Sequence, residues 1–392
     1  MCIERRLYAD EQGEGHFLLD ERLGLKPQQV ATPEVEEAVV ELAAVVSFEQ
    51  VAKQVRRLTA GVLSKSTVWR LLQAIGKQVL EAEERLCEAV YEHGYELEPG
   101  KREVEWLYVE ADGVWVRLQG EPNQKGMEIR LGIAYDGWEA LRAEEERCQN
   151  KRVYVHGHKK ASFWEGAVVA WYPIWAFEHL KGVVLNGDDA RWIDGGKEAF
   201  AHVLRQQDGF HVARFCQRAF ESAEGRAFYQ ALRQGKTDEV RRLWAIAQRK
   251  KGSSAQRALK WLETHLTDPE VVDWRIRAES APPQAHGLGG MEGNIAHLIG
   301  RRMKGKGRSW SVQGALTMAK VQQFVSNREV SRWCRRTPPT PLPLLQPASR
   351  QPGCKQRHNT GDWLQARIPA LHGRIPSDPT LLQLRHLLFS TN

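Results

Sequence analysis

Residues 103–119 read EVEWLYVEADGVWVRLQ and carry the clearest strand pattern in the chain. Apolar and polar residues alternate there, which is the period of a β-strand with one buried face. Asp112 and Gly113 stand in the middle and are typical of a turn, so we predict two strands that separate at this pair. Residues 128–138, EIRLGIAYDGW, predict a third strand. The chain therefore contains a region built on a β-sheet.

Beyond this region, strand and helix patterns follow one another. Residues 181–187, KGVVLNG, are apolar on both faces, as expected of a central strand, and residues 209–215, GFHVARF, predict a fifth strand. Helical patterns occupy residues 160–180, 195–207 and 217–277, and another helix begins near Met291. This order predicts an α/β fold whose mixed sheet is flanked by helices and interrupted by an α-helical insertion.

Before the sheet, the sequence is helical. Residues 48–55 carry one apolar stripe, Gly61 interrupts it, and Ser64 or Ser66 caps a second helix. Two helices joined by a turn that contains glycine indicate a helix-turn-helix at about 47–76, with an ordinary helical hairpin as the alternative. The polar residues placed to enter a DNA major groove are Lys65, Ser66, Thr67 and Arg70.

The composition restricts the class of protein. At 392 residues, 42% hydrophobic and 27% charged, the chain is typical of a globular protein with about two or three domains. No apolar run approaches the roughly 18–20 residues of a membrane helix, and the first residues lack the apolar stretch of a signal peptide. Six cysteines without a C-x-x-C pair argue against a disulfide framework or a zinc ribbon. We therefore expect a cytoplasmic protein without a membrane partner.

The net charge of +7 is unevenly distributed. Residues 1–100 hold 11 basic and 18 acidic side chains, whereas residues 301–336 hold ten Lys or Arg and one acid, Glu329. Such a basic stretch predicts a polyanionic partner, most often nucleic acid. Its glycine-containing loop is suited to binding phosphates, although a solvated loop is the alternative. The basic residues of this loop are Arg301, Arg302, Lys304, Lys306 and Arg308.

Three carboxylates stand at the ends of predicted elements. Asp112 lies where the first strand would end, Asp188 follows the strand at 181–187, and Glu292 opens a helix behind a glycine-rich loop. Each has a simpler explanation, as a turn residue or as a charge favoured by a helix dipole. Together they favour a Mg²⁺ site, because two such ions held by carboxylates promote phosphodiester chemistry. Ribonuclease-H-like nucleases and transposases have this arrangement.

Four segments carry a resemblance to a known family: EVEWLYVEADGVWVRLQ, VVLNGDDARWI, GFHVARF and AHGLGGMEGNIAHLIGRRMKGKGRSWSVQGALTMAKVQQF. Together they resemble the ISLre-type transposases of bacterial insertion sequences, which were long described as an uncharacterised protein family. The similarity runs from about Tyr8 to about Val325 and is most specific from Glu292 to Lys320.

The resemblance implies a DDE transposase with a ribonuclease-H-like fold. Asp112, Asp188 and Glu292 would be both the catalytic residues and the ligands of two Mg²⁺ ions, with Mn²⁺ as a substitute. His211 matches a histidine of the family and would be auxiliary. The family has a small residue where this chain has Asp189, so Asp189 competes with Asp188, which we prefer because Gly187 precedes it.

The expected domains follow from these assignments. They are a helical region at 1–100, the first part of the catalytic domain at 101–216, a helical insertion at 217–280, the Glu292 helix and basic segment at 281–336, and a proline-rich irregular tail at 337–392. The expected activity is Mg²⁺-dependent cleavage and strand transfer of an insertion sequence. Terminal-repeat DNA and target DNA would be the partners, bound by a homo-oligomer. The alternatives are an inactive DNA-binding protein and a nuclease without transposition.

Overall fold

The computed structural model describes residues 6–334, apart from 14, 23–30, 60–61, 143–144, 158–159, 221, 248–252, 267 and 306. The proline-rich tail predicted at 337–392 therefore lies outside the described residues. The described chain divides into two compact units. One combines the residues up to Ala82 with Trp115–Ile129 and the residues from Ala296 onward, and the other combines Glu83–Val114 with Arg130–Ile295.

Five strands form the main sheet, in the order β7-β4-β3-β8-β9. β8 pairs in parallel with both β3 and β9, whereas β4 pairs antiparallel with β7, so the sheet is mixed. Two short hairpins, β1-β2 and β5-β6, stand apart from it. In chain order the strands are β1 Tyr8–Ala9, β2 Gly15–His16, β3 Trp106–Arg117, β4 Gly126–Tyr135, β5 Gly137–Arg142, β6 Glu145–Gln149, β7 Arg152–Val155, β8 Gly182–Gly187 and β9 Val203–Gln207.

Helices precede, flank and follow the sheet in the chain. They are α1 Leu18–Arg22, α2 Pro33–Val45, α3 Phe48–Thr59, α4 Lys65–Tyr91, α5 Phe163–Trp171, α6 Arg191–Asp194, α7 Gly196–Ala199, α8 Gly209–Ala219, α9 Ser222–Arg233, α10 Thr237–Ala247, α11 Ser253–His265, α12 Trp274–Arg277, α13 Met291–Ile295, α14 Arg301–Met303, α15 Val312–Ser326 and α16 Val330–Cys334. A π-helical turn, Ala296–Gly300, lies between α13 and α14.

In the first unit, α2 packs against α3, α15 and α16. Pro33 occupies the first turn of α2, where its missing N–H costs no hydrogen bond, and Glu34 suits the positive end of the helix. α15 is buried along most of its length, even at Lys320, whose Nζ donates to Oε1 of Gln323 at 3.0 Å. A helix buried on all sides, with its polar groups hydrogen-bonded, forms the centre of this unit.

In the second unit, α5 covers the sheet. Ser162 and Glu165 form a capping box that starts this helix, and its Trp164 and Trp171 pack with strand residues such as Leu107 and Leu185 in one core. β8 is buried at all six positions, which confirms the prediction of a central strand at 181–187. The helices predicted within residues 217–277 are present, and α9, α10 and α11 pack with α8 around a core of their own.

Two strand predictions were wrong. Residues 106–117 form a single strand that continues through Asp112 and Gly113, because the apolar alternation on both sides of this pair keeps the chain in the sheet. The predicted strand at 209–215 is instead helix α8, which Asp208 caps by accepting a hydrogen bond from the His211 N–H at 3.1 Å.

The strand next to β8 is β9, which lies at one edge of the sheet. It falls within residues 195–207, where we predicted a helix. Its sequence, VLRQQ, lacks an apolar pattern, yet Arg205 and Gln206 are buried. They pair with other groups: Nε2 of Gln206 donates to Oδ1 of Asn186 at 3.3 Å, and Nε of Arg205 donates to Oδ1 of Asp194 at 3.1 Å. The hairpin β5-β6 and strand β7 were not predicted either.

Candidate active site

Three side chains meet beside the ends of the central parallel strands. Asp112 lies in β3, Asp188 directly follows β8, and His211 lies in the first turn of α8. One potential ligand atom of each lies within 4.8 Å of the other two, and all three residues are half-buried. The parallel pairing of β3 with β8 ends at Glu110 and Asn186, and Asp112 and Asp188 each lie two residues further on, so the two aspartates come to the same end of the paired segment.

Glu292, the third predicted ligand, lies on the wall of the cavity that these groups line. It is exposed, and the compact ligand group contains His211 together with the two aspartates. We call Asp112, Asp188, His211 and Glu292 the carboxylate site. Whether Glu292 completes a triad stays a prediction.

Asp208 holds His211 in place. Its Oδ2 lies 2.8 Å from Nδ1 of the imidazole, and its Oδ1 accepts from Nδ2 of Asn186 at 3.2 Å. Burial alone would raise the pKa of Asp208, but the hydrogen bonds from His211 lower it. In turn, the hydrogen bond to Asp208 raises the pKa of His211 against the effect of burial. With Nδ1 engaged, Nε2 is the ring nitrogen left for a ligand.

Burial raises the pKa of Asp112 to about 6, against the lowering effects of the Gly113 N–H and of His211, and repulsion from Asp188 adds to the rise. Burial likewise raises the pKa of Asp188, which accepts from the Ala190 N–H at 3.0 Å. Two partly buried carboxylates that repel each other favour a bound cation. Two carboxylates and an imidazole are a donor set that fits a divalent metal ion.

Asp188 and Asp189 have different surroundings. Asp188 lines the cavity, whereas Oδ2 of the exposed Asp189 accepts a hydrogen bond from Nε1 of Trp261 in the helical insertion at 2.8 Å. The Trp261 ring stacks on Phe215, with centroids 4.2 Å apart. Asp189 therefore joins the loop after β8 to the insertion, and Asp188 is the residue that faces the other carboxylate.

Sequence reasoning missed Glu110, which is fully buried beneath the site. Its carboxylate accepts hydrogen bonds from the Tyr135 hydroxyl at 2.7 Å, from Nδ2 of Asn186 at 3.1 Å, and from the N–H groups of Gly290 and Met291 at 3.1 and 3.2 Å. Burial raises its pKa, and these hydrogen bonds oppose the rise. Glu110 thus fixes the segment that precedes Glu292 onto β3. A lone acid in an apolar strand run was its only signal.

Comparison with known proteins places the chain in a family. A family model described as an uncharacterised protein family, UPF0236, matches residues 1–336. The chain belongs to UPF0236.

Curated UPF0236 proteins of Caldanaerobacter subterraneus subsp. tengcongensis are similar over most of the chain. One is 24% identical over 338 residues, which cover 83% of this chain and 66% of the relative. A second, whose name joins eleven loci of that bacterium, is 24% identical over 334 residues, covering 83% and 65%. A UPF0236 protein of Streptococcus gallolyticus is 31% identical over 132 residues, covering 32% and 26%. The chain therefore spans about two thirds of the length of the first two.

In this UPF0236 protein, the four residues predicted to contact DNA lie at the start of α4. Lys65, Ser66 and Arg70 are exposed and Thr67 is half-buried. Oγ of Ser64 accepts from the Thr67 N–H at 3.0 Å and caps the helix. The two helices of the predicted helix-turn-helix are present as α3 and α4, and binding of DNA by them stays a prediction.

The predicted basic loop is divided. Arg301, Lys304 and Arg308 are exposed, as expected, and Lys306 lies outside the described residues. Arg302 does not fit the expectation of a solvated cation. It is only 6% exposed, and its Nε donates to the Ala43 carbonyl at 2.7 Å.

Among the described residues, no helix combines the length and the apolar character that crossing a membrane requires.

Proposed function

We propose that this chain is a DDE-type transposase that cleaves and joins the DNA ends of an insertion sequence. The observation that carries the proposal is the convergence of Asp112 and Asp188 from neighbouring parallel strands, with His211 beside them and Glu292 on the same cavity wall. The resemblance to ISLre-type transposases, on the sequence around these residues, supports the same conclusion. On this proposal the mixed sheet is the ribonuclease-H-like core.

Asp112, Asp188 and Glu292 would hold two Mg²⁺ ions, with Mn²⁺ as a substitute. When bound, such ions activate an attacking hydroxyl and stabilise the leaving oxygen of a phosphodiester. Bound cations would relieve both carboxylates, since burial raises both pKa values and repulsion from Asp188 adds to the rise for Asp112, against the lowering effect of His211.

The remaining residues position these ligands. Asp208 holds His211 through Nδ1, so that Nε2 is directed to coordination or proton transfer. Glu110 accepts hydrogen bonds from the backbone N–H groups of Gly290 and Met291, and these bonds fix the segment before Glu292 against β3. Preorganised groups of this kind lower the barrier because little rearrangement is needed during reaction.

The relatives add a separate line of support. The name of one similar protein covers eleven loci in one bacterium. A gene that moves and duplicates itself leaves several copies in one genome, and eleven designations under one protein name fit that pattern. The number of copies supports the proposal that the gene is mobile. The carboxylate site supports the proposed reaction.

The test is an in vitro reaction. The purified chain is incubated with Mg²⁺ and a DNA fragment that carries the sequences flanking its gene, and nicked and joined products are separated on a denaturing gel. We expect both products. Nicks without joined strands would indicate a nuclease, and binding without nicks would indicate an inactive DNA-binding protein. Either result would overturn the transposase proposal.

Single substitutions assign the ligands. Asp112→Ala and Asp188→Ala are expected to abolish both products, and Asp189→Ala, which removes a carboxylate held by Trp261, is the matched control. Comparing Glu292→Ala with His211→Ala decides which residue is the third ligand. Full strand transfer by Glu292→Ala would remove Glu292 from the proposed triad.

A further inference from the structure

The first unit contains a cavity of about 420 Å³, within the size range of small-ligand pockets. We call it the aromatic cavity. Its wall includes Phe48, Trp69, Gln119, Arg302, Arg308 and Trp310. None of its described lining residues is acidic. The cavity is therefore cationic, with large apolar surfaces.

Arg302 brings to the cavity a positive charge for which the described residues provide no acidic partner. Its guanidinium lies 4.7 Å from the ring centroid of Phe48 and 5.4 Å from that of Trp310. Nη2 is buried and has no hydrogen-bond partner among the described residues. Burial and the neighbouring charge of Arg308 lower its pKa to about 10, so it remains charged at neutral pH. A buried cation with an unmatched donor favours an anion in the adjoining space.

Trp69 supplies a surface of a different kind. It lies on α4, lines the aromatic cavity and is 42% exposed. An indole face open to solvent offers a stacking platform for another flat ring. Nη1 of the exposed Arg308 donates to the carbonyls of Arg301 and Lys304, and the rest of its guanidinium borders the same space. Gln119 offers an amide there.

A flat ring joined to an anion matches this combination. We propose that the aromatic cavity binds one unpaired nucleotide of a DNA strand, with the base stacked on Trp69 and the phosphate on Arg308, backed by the charge of Arg302. A base within a duplex has both faces covered by its neighbours, so only an unstacked base can use Trp69. This inference rests on the proposed function, because it assigns to the transposase a site for an unpaired part of its DNA.

The test uses the full chain and a ten-nucleotide single strand of thymidines with one central 2-aminopurine, in EDTA so that no cleavage occurs. We expect the 2-aminopurine emission to fall on binding, because stacking on an indole quenches it. Trp69→Ala should weaken the affinity about tenfold and remove most of the quenching. Arg308→Ala should make the slope of log affinity against log salt less steep by about 0.7, which is the effect of losing one phosphate contact to a single strand.

Matched controls separate the cavity from general surface effects. Trp115 is 63% exposed in the same unit and does not line the cavity, so Trp115→Ala should bind and quench like the unaltered chain. Lys77→Ala removes an exposed cation on α4 outside the cavity and should change the affinity less than twofold. Thermal unfolding of each variant shows whether it is folded.

The inference fails if folded Trp69→Ala binds the strand as tightly as the unaltered chain, or if a fully paired duplex of the same length displaces it at equal concentration. Cleavage of end DNA in Mg²⁺ is measured separately with the same preparations. If the unaltered chain cleaves and joins ends while Trp69→Ala binds normally, only the cavity assignment fails. If the unaltered chain neither binds nor cleaves any DNA, the proposed function fails with it.

Discussion

The carboxylate site and the aromatic cavity hold partly buried charges of opposite sign. In the second unit, burial raises the pKa of Asp112 to about 6. In the first unit, burial lowers the pKa of Arg302 to about 10. In both cases a neighbour of the same sign, Asp188 or Arg308, adds to the shift. On the two proposals, a metal ion would add positive charge beside the carboxylates and a phosphate would add negative charge beside the arginines.

Asp273 shows what a balanced buried charge looks like in the same molecule. Arg233 and Arg275 each place Nη2 close to its Oδ2, at 2.9 and 2.7 Å. Burial would raise the pKa of Asp273, but the hydrogen bonds and charges of these arginines lower it to about 2. Removing one partner of a buried ion pair leaves an uncompensated charge, whereas a buried charge without a pair is a candidate for ligand binding.

The largest expected effect comes from Asp112→Asn, which removes one charge from the carboxylate site. DNA cleavage should fall by about 10³-fold or more, since a ligand of the reacting group is lost. In metal-free buffer the same variant should unfold about 2–4 °C higher, because it no longer carries a partly buried negative charge that Asp188 also repels. Mn²⁺ should raise the unfolding temperature of the unaltered chain and not of the variant, as measured by calorimetry. An unchanged Mn²⁺ response would contradict the assignment.

Glu110→Gln tests a buried acid whose hydrogen bonds are satisfied. A glutamine amide has one acceptor oxygen and turns an N–H₂ group toward donors such as the Gly290 N–H or the Asn186 amide. We expect a loss of about 2–3 kcal/mol in the free energy of unfolding, measured with urea, and reduced cleavage as the Glu292 segment loosens. Glu121→Gln, at an exposed position, is the control and should be neutral. Equal stability of the two variants would show that Glu110 is not a structural anchor.

Asp273→Asn tests the balanced pair through pH. The folded-state pKa of about 2 lies below the ordinary value of 3.8, so the ionised form stabilises the fold above pH 4. That contribution is about 2 kcal/mol and disappears as the pH falls from about 4 to 2. The unaltered chain should therefore exceed the variant in unfolding free energy at pH 7 and lose that advantage in acid. A pH-independent difference would mean that packing, not charge, is responsible.

The smallest expected effect is at the link between Asp189 and Trp261. Trp261→Phe keeps the ring stacked on Phe215 and removes the Nε1–H donor, which should cost about 0.5–1.5 kcal/mol. A double-mutant cycle with Asp189→Asn measures the coupling by urea unfolding. Additive effects of the two substitutions would show that the hydrogen bond contributes nothing.

The sequence predicts well where apolar patterning decides the structure. The central strand β8, with six buried residues, and the helical insertion are visible as uninterrupted apolar or helical periodicity. Prediction from the sequence fails where hydrogen bonds between polar side chains decide the structure. β9 is a buried strand whose Arg205 and Gln206 are satisfied by residues distant in sequence, and no local pattern reports such pairing.

The same limit applies to the carboxylate site. Asp112 and Asp188 can be selected because they accompany strand patterns, and His211 was indicated by a family resemblance. Their supporting residues, Asn186 and Asp208, have roles that exist only through contacts between strands and helix α8. Glu110 could have been found from its position in an apolar run, since a buried acid needs partners.

The packing of α2 in the first unit has a consequence for the order in which the chain folds. The carbonyls of Ala43 and Ala44 accept hydrogen bonds from Arg302 and Gln322, which follow them by 259 and 278 residues. At about 5–20 residues per second, a ribosome needs on the order of 15–60 s to make that intervening chain. During synthesis, the face of α2 that packs against α15 stays exposed until α15 has been made. The first unit can therefore close only after nearly all of the described chain has been made.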